Sequence, residues 1–272
     1  MTHSATVIIP AHDEAGYIGA CLEAVFASDL GGAALQVIVV ANGCHDATAE
    51  IARRFDAPQR DLLVIDTAQG GKLHALGLGD AAARHGTRIY LDADVVISPD
   101  LIAQLIDALG GAAPRYASGT PVVTPPHSPI TRGYARFWQC LPFFTQDVPG
   151  FGVFAVNAAG RARWGDWPQI ISDDTFVRLQ FPPQARVRVP ASYRWPMVEG
   201  WRRLVRVRRR QDRGVREIEA RYPDLLANAG TARLGLRGIA RRALRDPVGF
   251  AVYAAVSLAV RLPGPGGWVR GR

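Results

Sequence analysis

Four short apolar runs, each followed by a stretch with helical spacing, fill the first 110 residues. This alternation leaves the chain few folds. TVII at 6–9, VIVV at 37–40, LLVI at 62–65 and IYL at 89–91 read as buried strands. Between the first two, Ile18, Cys21, Leu22, Val25 and Phe26 recur at helical intervals. Further helices are expected from a cap at Asp46 or Thr48 to Phe55, after Gly70–Gly71 to about Arg84, and from Pro99, behind a Ser98 cap, to Leu109. The pattern predicts an α/β fold with a central, mostly parallel sheet flanked by helices. Such sheets bind ligands outside the carboxyl ends of their strands. Pro10–Glu14, Ala41–Asp46, Gln69–Lys72 and Asp92–Asp94 are therefore expected on one rim. Residues 111–200, rich in Pro and aromatics with strand signals near 118–123, 153–156 and 187–189, form a second half.

Asp92 and Asp94 stand one residue apart where the fourth strand ends. An extended chain would turn both carboxylates to the same side. Two carboxylates at a buried strand's end cost desolvation without a positive partner. A divalent cation with hard oxygen ligands, Mg2+ or Mn2+, bridged to a phosphate ester meets that need. The alternative is a pair of solvated loop aspartates. Lys72 is the only lysine among 32 basic residues and follows two glycines at a helix start. Glycines admit a ligand close to the backbone and helix starts favour anions, so Lys72 suits a phosphate; a surface lysine is the alternative. The spacings of a P-loop and of a dinucleotide fingerprint are both absent. A second acidic pair, Asp173–Asp174 in IISDDTFVRLQF, opens a helix-like segment. One aspartate could cap that helix, or a carboxylate there could take the proton of an attacking hydroxyl.

Charge is uneven: residues 1–198 carry a net −3 and residues 199–272 a net +11. The basic helix at 202–221 includes RVRRRQDR, whose guanidinium forks suit phosphate or form a solvated face. The cluster lacks interleaved aromatics, which disfavours nucleic acid. The run VGFAVYAAVSLAV at 248–260 is uncharged and lies between Arg245 and Arg261. It is shorter than the roughly 20 residues of a membrane span. It reads as a buried core helix or as a helix lying in a membrane interface. Cys21, Cys44 and Cys140 are too scattered for a disulfide framework, and no secretory leader is seen. The expected location is cytoplasmic, with peripheral attachment to the inner membrane face left open.

Six ordered segments resemble family 2 glycosyltransferases of the GT-A nucleotide-diphospho-sugar transferase fold. They are VIIPAHDEAGYIGACLEAV, VVANGCHDAT, GGKLHALGLG, LDADV, PGFGVFAV and ISDDTFVRLQ, across roughly residues 5–215. The resemblance implies a catalytic region over 1–200, with a nucleotide-sugar half at 1–110 and an acceptor half at 111–200. A basic helical tail at 201–272 would follow. It also implies that Pro10, Ala11, His12 and Glu14 line the nucleoside pocket, that Asn42 approaches the base and that Lys72 stands near the phosphates. Asp92, beside Ala93, would contact ribose or metal, and Asp94 would hold Mn2+ or Mg2+ on the diphosphate. Asp174, with Asp173 before it, would be the base of an inverting transfer to a hydroxyl acceptor. Gly152, Arg210 and Arg213 would be diphosphate or acceptor contacts. The chain departs from the family pattern at Ala41–Asn42, where an Asp-Asp pair is usual. Gln211 stands where processive members carry Trp. A single transfer onto a sugar, lipid-linked or polysaccharide acceptor is the expectation, either at a membrane surface or free of one; the alternatives are a retaining transferase of the glycosyl-phosphoglycerate-synthase kind, which would need no base at Asp174, and a non-catalytic membrane-associated binding protein on the same fold.

Overall fold

A computed structural model of the chain describes residues 4–230 and 234–262. The end of the expected 201–272 tail, and its residues 231–233, lie outside the described residues. The strands are β1 (Ser4–Ala11), β2 (Ala34–Asn42), β3 (Asp61–Thr67), β4 (Thr87–Leu91), β5 (Val96–Ile97), β6 (Tyr116–Val123), β7 (Val153–Val156) and β8 (Arg186–Trp195). The α-helices are α1 (Ile18–Phe26), α2 (Thr48–Arg53), α3 (Lys72–Ala82), α4 (Leu101–Ala108), α5 (Pro129–Trp138), α6 (Pro142–Thr145), α7 (Ala158–Arg161), α8 (Asp173–Leu179), α9 (Trp201–Arg221), α10 (Leu236–Arg245) and α11 (Pro247–Arg261). They divide into two units that interleave in sequence. The first holds residues up to 122, 150–169 and 180–195; the second holds 123–149, 170–179 and the chain from 196.

The first unit is an eight-stranded sheet in the order β3-β2-β1-β4-β7-β6-β8-β5. β1 pairs in parallel with β2 and β4, and β2 with β3. Beyond β4 the direction changes: β7 is antiparallel to both β4 and β6, and β5 to β8. The sheet is thus parallel through its first four strands and mixed after them. Ala5–Ile9 of β1 and Val37–Val40 of β2 are buried, as central strands covered on both faces must be. The polar residues inside this core pair with one another. Thr6 Oγ1 donates to Gln36 Oε1 (2.9 Å), and Gln36 Nε2 donates to Ala82 O (3.2 Å), tying the end of α3 to β2. Asp80 of α3 accepts from Tyr90 OH (2.8 Å), Trp167 Nε1 (2.8 Å) and Arg161 Nε (2.9 Å), with Arg88 at 3.6 Å.

Helix starts differ in detail from expectation. Asp100, not Ser98, precedes α4; Ser98 Oγ instead donates to Asp100 and accepts from Ser192 N, holding β8 beside this loop. Ala47 precedes α2, while Asp46 accepts from Thr48 N (3.0 Å).

The second unit is helical. α11 packs on α5 and α9 through Tyr134, Leu204, Val205 and Val256, with the Tyr134 and Tyr253 rings stacked at 5.4 Å. Gly133 and Gly249 let α5 and α11 approach closely. Arg136 closes the pair by a two-pronged hydrogen bond to Asp246, which also caps α11 by accepting from Gly249 N. At the other end of α11, Arg209 donates to the carbonyls of Ala259 (2.7 Å) and Leu262 (3.0 Å), where a cation also suits the helix dipole. The 248–260 run is therefore half core: Gly249 and Val256 are buried, while Val248 and Leu258 stay more than 60% exposed. No helix among the described residues is long and apolar enough to cross a membrane.

Candidate active site

The four parallel strands end in four loops, and neighbouring loops are tied to one another in order. From the β1 loop, His12 Nδ1 meets Asn42 O (2.6 Å), Asp13 Oδ1 accepts from His45 N (2.6 Å), and Glu14 N donates to Thr48 Oγ1 (2.7 Å). Ala15 N donates to Asp46 (3.0 Å). Asp13 holds a left-handed φ of 52°, a conformation Asp tolerates better than most residues and one that marks a constrained turn.

Asn42 joins three loops. It is 2% exposed; its amide donates to Ala11 O (2.8 Å) and its oxygen accepts from Gly71 N (2.9 Å), just before α3. The residue expected to approach a base is thus engaged in bracing the rim. Gly43, at φ 59°, lies so close to the third loop that a Cβ would stand 3.0 Å from Gly70 Cα. No other residue type fits there without displacing backbone.

The third and fourth loops meet through charge. Lys72 Nζ lies 2.8 Å from Asp92 Oδ1, with the two side chains 37% and 34% exposed. At that exposure solvent screens the pair, so it contributes little to stability. Its value is positional: it brings the single lysine to the Asp92–Asp94 loop. This loop is not the extended segment expected. Val95 N donates to Asp92 O (3.1 Å), closing a turn over Ala93–Asp94. The two aspartates are half-buried, alternating with buried Leu91, Ala93 and Val95, and Asp94 Oδ1 is shielded from water. Gly152 supports the turn from behind. Its carbonyl accepts from Asp92 N (2.8 Å), and at φ 80° a Cβ would lie 2.9 Å from the Trp195 ring. Gly152 therefore shapes the acidic turn through its backbone. Pro10 is half-buried at the end of β1 and Ala11 is buried.

Sequence reasoning missed several rim residues. Thr48 was read only as a cap candidate, and Asp46 as a cap candidate on the rim; both hold the β1 loop. Burial raises the Asp46 carboxyl, but hydrogen bonds from the Thr48 hydroxyl, Ala15 N and Thr48 N outweigh it and hold the group below the usual range. His12, Asp13 and Cys44 each offer one ligand-type atom within 4.8 Å of the others. Here they brace loops: burial pushes the Cys44 thiol up, and its sulfur lies 3.5 Å from Ala11 O.

The second acidic pair lies in the helical unit. Asp173 and Asp174 are the first two residues of α8; Asp173 is buried, and Asp174 accepts from Thr175 N (2.7 Å). The loop before them is set by α9. Glu217 accepts from Ile171 N (2.9 Å), and Gly214 packs so closely on Ser172 and Ile171 that a side chain there would clash. Arg210, half-buried, is one turn ahead of Gly214 on this same face; Arg213 is exposed. Arg178 at the other end of α8 pairs with Asp147 (2.6 Å).

The sequence profile described as Glycosyl transferase family 2 matches residues 6–162. Glycosyltransferase AglE of Haloferax volcanii is 29% identical over 123 residues, 45% of this chain and 40% of AglE, so the chain matches well under half the length of that relative. The fold resembles the mannosyltransferase PcManGT of Pyrobaculum calidifontis, solved with GDP-Man and Mn2+ (TM-score 0.62, 19% identity, 96% of this chain and 76% of that one). It also resembles S. aureus TarS 1–349 in complex with UDP-GlcNAc (TM-score 0.54, 12% identity, 95% and 91% covered). A third likeness is to glucosyl-3-phosphoglycerate synthase of Mycobacterium tuberculosis with phosphoglyceric acid (TM-score 0.53, 17% identity, 80% and 79% covered).

Proposed function

The chain belongs to glycosyl transferase family 2, and on that footing we propose that it transfers a sugar from a nucleotide diphosphate to an acceptor hydroxyl, with inversion and one sugar per acceptor. The observation that supports this most is the Lys72–Asp92 contact beside Asp94. It puts one cation and two carboxylates on a rim whose loops are already fixed to each other. That arrangement needs no large rearrangement to receive a charged donor.

The donor set on the acidic turn is all hard oxygen, which fits Mn2+ or Mg2+ with a substrate diphosphate. Asp92 and Asp94 would hold such an ion. When bound it supplies positive charge against the negative charge of the leaving diphosphate. Before donor arrives, Lys72 and Asp92 neutralise each other. With such an ion bound, Asp92 would serve the cation and Lys72 would be free to pair with phosphate, so each charge would have a partner. His12, Glu14, Pro10 and Ala11 would line the nucleoside, with Asn42 holding their loop in place. Asp174 would take the proton from the acceptor hydroxyl. Arg210 and Arg213 would meet an anionic part of donor or acceptor. PcManGT and TarS carry different nucleotides, GDP-Man and UDP-GlcNAc, so the fold does not choose the base.

A thermal-shift panel of nucleotide sugars with and without Mn2+ tests this reading. One donor should raise the melting temperature only with metal present, as mass action requires; a hundredfold excess over Kd is worth about 2.7 kcal/mol. If no donor stabilises the chain and none is hydrolysed, the enzyme reading is overturned in favour of a binding protein on this fold. The likeness to glucosyl-3-phosphoglycerate synthase supports a second reading, transfer with retention. Near-full activity in Asp174→Asn would select it, because retention needs no base at that position.

A further inference from the structure

We propose that the outward face of α10 and α11 docks on an anionic lipid bilayer. This goes beyond the donor chemistry above and does not rest on it. On α10, Leu236, Ala240 and Leu244 recur every fourth residue and all face solvent; the two leucines are 86% and 84% exposed. Beside this stripe runs a second one at the same interval, Arg237, Arg241 and Arg245, also exposed. The opposite side of α10 faces the protein: Arg242 donates to Cys140 O (2.9 Å), and Ile239 lines a cavity of about 340 Å3 walled by Phe137, Leu141, Phe143 and Phe250. α10 thus covers a cavity with one side and leaves the other to solvent.

α11 has an exposed apolar strip of its own. Val248, Ala251, Ala255 and Leu258 lie along its exposed side, with no charge among them. Water is a poor neighbour for two leucines left almost wholly exposed, and large exposed apolar patches on protein surfaces mark sites of interaction. A helix with an apolar stripe bordered by arginines lies well in a bilayer interface. Its leucines enter the acyl boundary and its guanidinium groups reach the phosphates. Charge selects the lipid. Every charged residue of α10 is an arginine, and the first acid after it, Asp246, is engaged by Arg136. A second copy of the same face would set arginines against arginines, which disfavours self-association there.

Flotation of the full chain with mixed phosphatidylglycerol–phosphatidylcholine vesicles, against phosphatidylcholine alone, tests the proposal. The chain should float with the anionic vesicles and remain in solution with the neutral ones. Replacing Arg237, Arg241 and Arg245 by Ala should lower the partition by about a hundredfold, roughly fivefold for each arginine. Leu236→Glu with Leu244→Glu should abolish flotation while leaving the melting temperature unchanged, which separates loss of docking from loss of fold. Failure to float with anionic vesicles, or equal flotation of the leucine variant, overturns the proposal. So does a chain that is dimeric without lipid and becomes monomeric in the leucine variant, since the face would then be a self-interface.

Discussion

The strand-end rim and the α10–α11 face treat their side chains in opposite ways. On the rim, polar groups are engaged with the next loop: Asn42 with Ala11 and Gly71, Asp13 with His45, Thr48 with Glu14, Lys72 with Asp92. On α10, Leu236, Leu244, Arg237, Arg241 and Arg245 are exposed to solvent. A rim of the first kind is preorganised, so its residues should show their loss as lost stability or lost binding. A face of the second kind contributes nothing to the fold, so its residues should be silent until a surface is offered.

The largest effect tests the sheet beneath the rim. Asp80→Ala removes the acid shared by Arg161, Trp167 and Tyr90 in a mostly buried setting. It should cost about 3–5 kcal/mol, read by denaturant unfolding, because buried arginines lose their partner. Asn42→Ala leaves Gly71 N and Ala11 O without their bonds and should cost about 1–3 kcal/mol. It should also weaken donor binding; a stable variant with unchanged donor affinity would show that the stitching does not shape the site. Arg209→Ala strips the end of α11 and should cost about 0.3–1 kcal/mol. At the bottom of the scale, Leu236→Glu with Leu244→Glu should stay within about 0.5 kcal/mol of the parent. A large loss there would erase the contrast between the two regions.

Acid probes the helical unit differently. Hydrogen bonds from Arg136, with a further one from Gly249 N, hold the Asp246 carboxyl below its ordinary value of 3.8 despite some desolvation. Its folded value is lowered, so its contribution is present above 3.8 and is lost as pH falls through the folded value. The melting temperature of the parent should therefore fall more steeply with acid than that of Asp246→Asn. Parallel slopes would show that this carboxylate does not govern the acid limb.

The first half of the fold was legible because its apolar runs are uninterrupted: all four strands were found with their helices and with the rim they share, although LLVI, expected to be buried, lies in the edge strand β3, where Leu63 is 40% exposed. The parallel direction of β1–β4 was legible from the strand–helix alternation; that of the later strands was not. Apolar periodicity is the same for β7 whether it runs with β4 or against it. β5 is two residues long, below any pattern. α5 was missed although Ser128–Pro129 gave an N-cap and a first-turn proline; the surrounding aromatics hid the signal. The aspartate pair was identified by type and position, but the turn at Ala93–Asp94 replaces the extended geometry assumed for it. Asn42 was assigned to the base through the resemblance of VVANGCHDAT to the family's second-strand motif. That its two amide ends are both taken by loop backbone is a tertiary fact. The 248–260 run was posed as core or interface; one side of α11 is core and the other is exposed.

The central claim is that the rim binds donor through the acidic turn, while Asp174 serves turnover. Calorimetric titration with the stabilising nucleotide sugar, with and without Mn2+, on the parent, Asp94→Ala and Asp174→Asn tests it most directly. The account predicts equal metal-dependent affinity in the parent and Asp174→Asn, and loss of the metal-dependent part in Asp94→Ala. Metal-dependent binding undiminished in Asp94→Ala would contradict it.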